Sequence, residues 1–101
     1  MNFSNMKQAL QLKAQLDKVQ KELAKLTVET DAGHGAVKVT MNGQQKVVSV
    51  TISPEALDPD KIKRLEENIA RAVNDAVEKS QKVAAKQLAG LTGGLKIPGL
   101  T

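Results

Sequence analysis

Ala36-Val37-Lys38-Val39-Thr40-Met41-Asn42-Gly43-Gln44-Gln45-Lys46-Val47-Val48-Ser49-Val50-Thr51-Ile52 alternates apolar and polar side chains on both sides of an Asn-Gly pair. A period of two is the signature of a half-buried strand. Asn-Gly between two such runs is a strong hairpin signal, because both residues tolerate the positive φ of a type I′ turn. The spacing therefore predicts strands over 36–41 and 44–52 joined by a two-residue turn. That turn sets Met41 opposite Gln44, Val39 opposite Lys46 and Val37 opposite Val48. Opposed residues share a face, so Val37, Val39, Met41, Val48, Val50 and Ile52 fall on one side. Lys38, Thr40, Gln45, Ser49 and Thr51 fall on the other, with Lys46 and Val47 as exceptions near the turn. A sheet apolar on one face needs helices over that face.

The flanks supply them. Upstream, Ala9, Leu12, Leu16, Val19, Leu23 and Leu26 recur at 3-4-3-4-3 spacing, a narrow seam suited to helix-on-helix packing. The pattern predicts a helix over 5–26 with Ser4 or Asn5 as its cap. Thr27 to Thr30 reads as a short strand, and Ala32-Gly33-His34-Gly35 as a turn. Downstream, Asp58-Pro59-Asp60 reads as a helix start, with Asp58 as cap and Pro59 at the first position. Ile62, Leu65, Ile69, Val73, Ala76, Val77, Val83, Ala84 and Leu88 give a broad apolar face to about residue 89, where Gly90 is the expected stop. The expected architecture is α+β, in the order α-β-β-β-α, with an antiparallel sheet and long N- and C-terminal helices. Residues 1–89 form the expected domain, and 90–101 read as a flexible Gly-rich tail. The two helices must run roughly antiparallel, which places the start of the first beside the end of the second.

Composition narrows the chemistry. The 101 residues contain no Cys, Trp or Tyr, one Phe and one His. That leaves no thiolate metal site, no disulfide and no histidine relay. Base stacking lacks its aromatic platforms. Glu66 and Glu67 are neighbours on a helix and point apart, so they make no catalytic carboxylate pair. Gly33-His34-Gly35 precedes a strand rather than a helix N-terminus, which removes the mechanism of a phosphate cradle. His34 is expected as an exposed turn residue. No enzyme, metal, cofactor or small-molecule substrate is expected. The longest apolar runs are a few residues, far short of a membrane span, and the expectation is a cytoplasmic protein. A chain of this length buries a modest share of its surface, which favours oligomerisation.

Charge is unevenly placed. Residues 1–28 carry five lysines against Asp17 and Glu22, a net +3. Residues 29–78 carry six cations against nine acids, a net −3. Residues 79–101 carry Lys79, Lys82, Lys86 and Lys96 with no acid. With antiparallel helices, both basic segments share one end of the molecule, as in a polyanion binder. Thirteen lysines and two arginines favour phosphate contact over reading of guanine edges. Lys79, Lys82 and Lys86 form one helical stripe, with Lys7 and Lys13 brought near it. The simpler reading of that stripe is a solvated face near a helix C-terminus, where cations are favoured anyway. Asp75 is expected to pair with Lys79 at i, i+4.

The order of several pieces resembles the YbaB/EbfC family of small bacterial nucleoid-associated proteins. These are Met6-Lys7-Gln8-Ala9, the run from Gly35 to Gly43, Val48-Ser49-Val50-Thr51-Ile52-Ser53-Pro54, Leu65-Glu66-Glu67, Ala72-Val73-Asn74-Asp75-Ala76, and the Gly-rich ending from Gly90 to Leu100. The match spans essentially the whole chain. His34 stands where the family's turn suggests a small residue, and the first helix is richer in Leu than in Met-rich members. The resemblance implies a tweezer-like homodimer that binds double-stranded DNA in the nucleoid with low sequence preference, using its helices. The residues expected to contact DNA are Lys7, Lys13, Lys79, Lys82 and Lys86. A competing reading is a protein-interaction dimer that acts with replication or repair partners through the first helix or the tail.

Overall fold

The computed structural model describes residues 3–92. It contains α1 (Phe3–Lys25), β1 (Thr27–Ala32), β2 (Val37–Asn42), β3 (Val47–Ile52), two 3-10 turns (Pro54–Ala56 and Pro59–Lys61) and α2 (Ile62–Thr92). The strands form one antiparallel sheet in the order β1-β2-β3. This is the expected α-β-β-β-α order.

Several boundaries differ from the sequence reading. α1 already includes Ser4 and Asn5, so neither is its N-cap. β1 runs two residues further, to Ala32, before a turn in which Gly33, His34 and Gly35 all have positive φ. Asp58 does act as a cap: its carboxylate accepts from the Asp60 amide at 3.0 Å. It caps a 3-10 turn, and α2 proper begins at Ile62. α2 passes through Gly90 to Thr92. The expected tail therefore starts inside the helix, and its residues 93–101 lie outside the described part.

The central hairpin turns differently from a type I′ pair. Asn42 N donates to the Lys46 carbonyl at 2.9 Å, and Gln45 N donates to the Asn42 carbonyl at 3.1 Å. The loop thus holds three residues, Gly43 to Gln45, with Gln45 in the left-handed region at φ 64°. The Asn42 side-chain oxygen accepts from the amides of Gln44 (2.9 Å) and Lys46 (3.1 Å). Asn at the first corner favours a turn of this kind. The longer loop moves the register: Val37 faces Ile52, Val39 faces Val50 and Met41 faces Val47, with Val48 as the extra residue of a bulge. Through Val37 and Val39 the shift is four residues. An even shift preserves the faces, so the apolar side is the expected one although every pairing changed.

α2 lies across that apolar side, over β1 and β2. Val37, Val39 and Met41 are fully buried beneath it, together with Ala32, Ala72 and Ala76. Ala72, Ala76 and Ser80 recur every four residues and are all wholly buried. Their small size lets the helix approach the sheet closely, and two hydroxyls fix the docking. Thr30 Oγ1 donates to the Ala72 carbonyl at 2.7 Å, and Ser80 Oγ donates to the Asn42 carbonyl at 2.7 Å. A buried hydroxyl without such a partner would be costly. β3 is left out of this cover: Val47, Val48 and Val50 remain 48%, 58% and 46% exposed.

Candidate nucleic-acid interface

Asn42 and Gly43 form the junction from which the basic region projects. Gly43 N donates to the Leu23 and Leu26 carbonyls, both at 2.9 Å, which ties the end of α1 to the hairpin. The Asn42 amide nitrogen reaches the Ala24 carbonyl at 3.4 Å, and Gln44 Nε2 reaches the Gln20 carbonyl at 2.9 Å. A Cβ on Gly43 would lie 2.9 Å from both Leu23 O and Leu23 Cδ2. Glycine is required here by close approach, because its φ is outside the left-handed range.

Leu23 on α1 and Ser80 on α2 therefore mark the same level at one end of the sheet. From there α1 runs back towards Phe3 and α2 runs on towards Thr92, in contact with each other. At 1.5 Å per residue, α1 extends about 30 Å beyond this level and α2 about 18 Å. The result is an elongated molecule of 67 × 25 × 19 Å: a covered sheet and a two-helix arm.

The helix seam holds the arm together only near its root. Val19 and Leu23 are buried, whereas Leu16 and Leu12 are 38% and 46% exposed. Two helices meet along one strip, and beyond Ser80 the half-buried residues of α2 are Val83, Ala84 and Gln87. Within the single chain the sequence seam is used at Val19 and Leu23, and Leu12 and Leu16 are left on the surface.

Beyond the Leu23–Ser80 level the arm carries Lys7, Lys13, Lys18, Lys21, Lys82 and Lys86 against two acids, Asp17 and Glu22. All six lysines are exposed. Counting outward, Lys21 is level with Lys82, and Lys18 with Lys86. Lys13 falls near the level of Thr92, and Lys7 lies beyond that level. The sequence reading favoured Lys7 and Lys13 as neighbours of the α2 stripe. Lys18 and Lys21 are axially nearer, a relation fixed by the Leu23–Gly43 contact that local patterning does not reveal.

Lys79 is turned onto the sheet. Its ammonium donates to the Glu29 carbonyl at 3.1 Å, on the edge strand β1. It shares a cleft with Glu29, Asp31, Asp75, Glu78, Lys38 and Lys82. Asp75 lines that cleft, but the hydrogen bond of Lys79 goes to the strand. A lysine laid from α2 onto the edge strand also discourages pairing with another chain there.

Both arginines, Arg64 and Arg71, line a groove at the opposite end of the sheet, formed by the β1–β2 turn and the start of α2. Lys61, Glu55, Asp58 and Glu67 line it as well, so its charges are mixed. His34 sits in this groove, exposed as expected, with φ 56°. Among the described residues no group of three or more His, Asp or Glu side chains could hold a metal ion. None of the described helices is long and apolar enough to cross a membrane.

Fold and charge together define a small α+β protein with a basic helical arm. The chain belongs to the YbaB/EbfC DNA-binding family, whose model matches residues 1–95. It is 50% identical over 95 residues to a nucleoid-associated protein of Desulforamulus reducens, covering 94% of this chain and 90% of that protein. A nucleoid-associated protein of Pelotomaculum thermopropionicum is 46% identical over the same coverage. Among solved structures, the uncharacterised protein HP0035 of Helicobacter pylori shares the fold. Its TM-score is 0.70 at 20% identity, covering 94% of this chain and 97% of that one.

Proposed function

We propose that this protein is a nucleoid DNA-binding homodimer that grips duplex phosphates with its lysine-bearing arms and reads little sequence. The observation that carries the proposal is the gathering of six lysines from both helices onto one projecting arm. An arm about 30 Å long matches roughly one turn of duplex, about 34–36 Å. Lysine ammonium groups suit phosphates as point charges, and affinity then comes from counterion release. The arginines that would read guanine bidentately lie at the far end of the sheet. That placement supports contact without base readout.

The dimer reading rests on β3. It is an edge strand whose own Val47, Val48 and Val50 are exposed, as are Leu57 and Ile62 further along the chain. The other edge carries Lys79 on Glu29 and the acids around it. A second copy joined at β3 would bury the uncovered half of the sheet's apolar face. It would also carry two arms.

Fluorescence anisotropy with two unrelated 30-base-pair duplexes tests the reading. Similar affinities for both, falling steeply with salt, support it. If about 6 phosphates are neutralised, the slope of log K against log salt is about −5. Absence of binding at the lowest salt refutes it. The search would then turn to protein partners of α1.

A further inference from the structure

Of the asparagines in the chain, only Asn42 is followed by glycine. Asn-Gly loses ammonia more readily than other asparagine pairs, because glycine leaves its backbone nitrogen unhindered and free to rotate. A base such as hydroxide takes the proton of the Gly43 amide. The nitrogen attacks Asn42 Cγ, Nδ2 leaves as ammonia, and a five-membered succinimide forms. Water then opens the ring at either carbonyl to give aspartate or isoaspartate.

The structure holds the reacting groups by two different sets of bonds. Asn42 Oδ1 accepts from the amides of Gln44 and Lys46 at 2.9 and 3.1 Å. These bonds lie within the hairpin, and they stabilise the negative charge that develops on that oxygen during attack. The nucleophile is tied outside the hairpin. Gly43 N donates to the Leu23 and Leu26 carbonyls, both at 2.9 Å, and the leaving nitrogen reaches the Ala24 carbonyl at 3.4 Å. All three acceptors lie at or just past the end of α1. On α1 only Val19 and Leu23 are buried, and an element so thinly packed opens locally before the whole fold does.

We propose that Asn42 is a deamidation site gated by the docking of α1. Docked, α1 keeps the proton and the orientation of the Gly43 amide fixed. Released, it leaves an activated carboxamide beside a free glycine nitrogen. The product then unfastens the root of the arm. Aspartate replaces the Nδ2 donor by a charged acceptor facing the Ala24 carbonyl, which is a repulsive pair. Isoaspartate adds a methylene to the main chain just before Gly43. Deamidation thus records the release of α1 and makes it permanent.

The full chain is incubated in mildly alkaline buffer, with and without urea, and deamidation at Asn42 is followed by peptide mass spectrometry. The native chain should react at least about tenfold more slowly than the unfolded one, and equal rates overturn the proposal. Leu23→Ala weakens the seat of α1 and should speed the reaction at least about tenfold, with the sheet intact by circular dichroism. Thr30→Val removes the hydroxyl bond between β1 and the Ala72 carbonyl of α2 and leaves α1 docked. Its rate should stay within about twofold of wild type. Equal acceleration by the two variants would assign the gate to global unfolding and overturn the proposal, as would a folded Leu23→Ala at the wild-type rate. Should Leu23→Ala fail to fold, Val19→Ala carries the same comparison. The deamidated fraction, isolated by ion exchange, should melt below its parent, and an equal melting temperature overturns the unfastening.

Discussion

The wholly buried hydroxyl of Ser80 donates to the carbonyl of Asn42 at 2.7 Å, joining the middle of α2 to the hairpin that also holds the end of α1. Ser80 thus marks the root of the arm, where sheet, turn and both helices meet. Ser80→Ala removes one buried hydrogen bond while the Asn42 carbonyl keeps the Gln45 amide. The expected loss is about 1 kcal/mol by urea denaturation. Ser80→Leu has no room against the sheet, and its loss should be larger, about 1–3 kcal/mol or more.

Gly43 and Gly90 should respond oppositely to alanine. At Gly43 the new Cβ meets backbone and side chain of Leu23 at 2.9 Å, and Gly43→Ala should cost about 1–3 kcal/mol. At Gly90 nothing lies within 4 Å, and α2 runs through the position. Gly90→Ala should stabilise by up to about 1 kcal/mol. Thermal melts of the two variants side by side check both signs.

Gln45 holds a left-handed backbone, φ 64°, without being glycine. That conformation costs an L-residue roughly 1–2 kcal/mol. Gln45→Gly should therefore raise the urea midpoint, while Gln45→Val should lower it, because β-branching suits this region least.

Much of this fold is legible in the sequence, and what is not has an identifiable cause. Periodicity marks α1, the strands and α2, because burial on one face imposes its own spacing. The Asn42-Gly43 pair marks the hairpin but misstates its loop. Asn42 uses its side-chain oxygen to hold Gln44 and Lys46, and Gly43 is small on account of Leu23, twenty positions away in chain and adjacent in space. Similarly, alternation in β3 shows which residues share a face but not what covers them. The charge pole is readable from composition. The ordering of lysines along the arm depends on where α1 docks, and Lys79's attachment to Glu29 has no local signal.

The β3 surface yields a separate expectation. Val50 is 46% exposed in the single chain, so Val50→Lys should leave the fold intact by circular dichroism. Light scattering should then show the mass fall from dimer to monomer. A monomeric variant should bind duplex more weakly, since it carries one arm.

Whether the arm is the DNA-binding surface is decided by Lys82→Gln/Lys86→Gln, alone and combined with Lys18→Gln/Lys21→Gln, through the salt dependence of duplex binding. Each phosphate contact removed should flatten the slope of log K against log salt by about 0.9. The quadruple variant removes four of the six lysines from each arm, about 4 of the ~6 phosphate contacts of the dimer, and should therefore lose about 3.6 from the slope, with equal weakening on unrelated duplexes, while Lys79→Gln changes it little. A quadruple variant with the wild-type slope would contradict the arm as the DNA-binding surface.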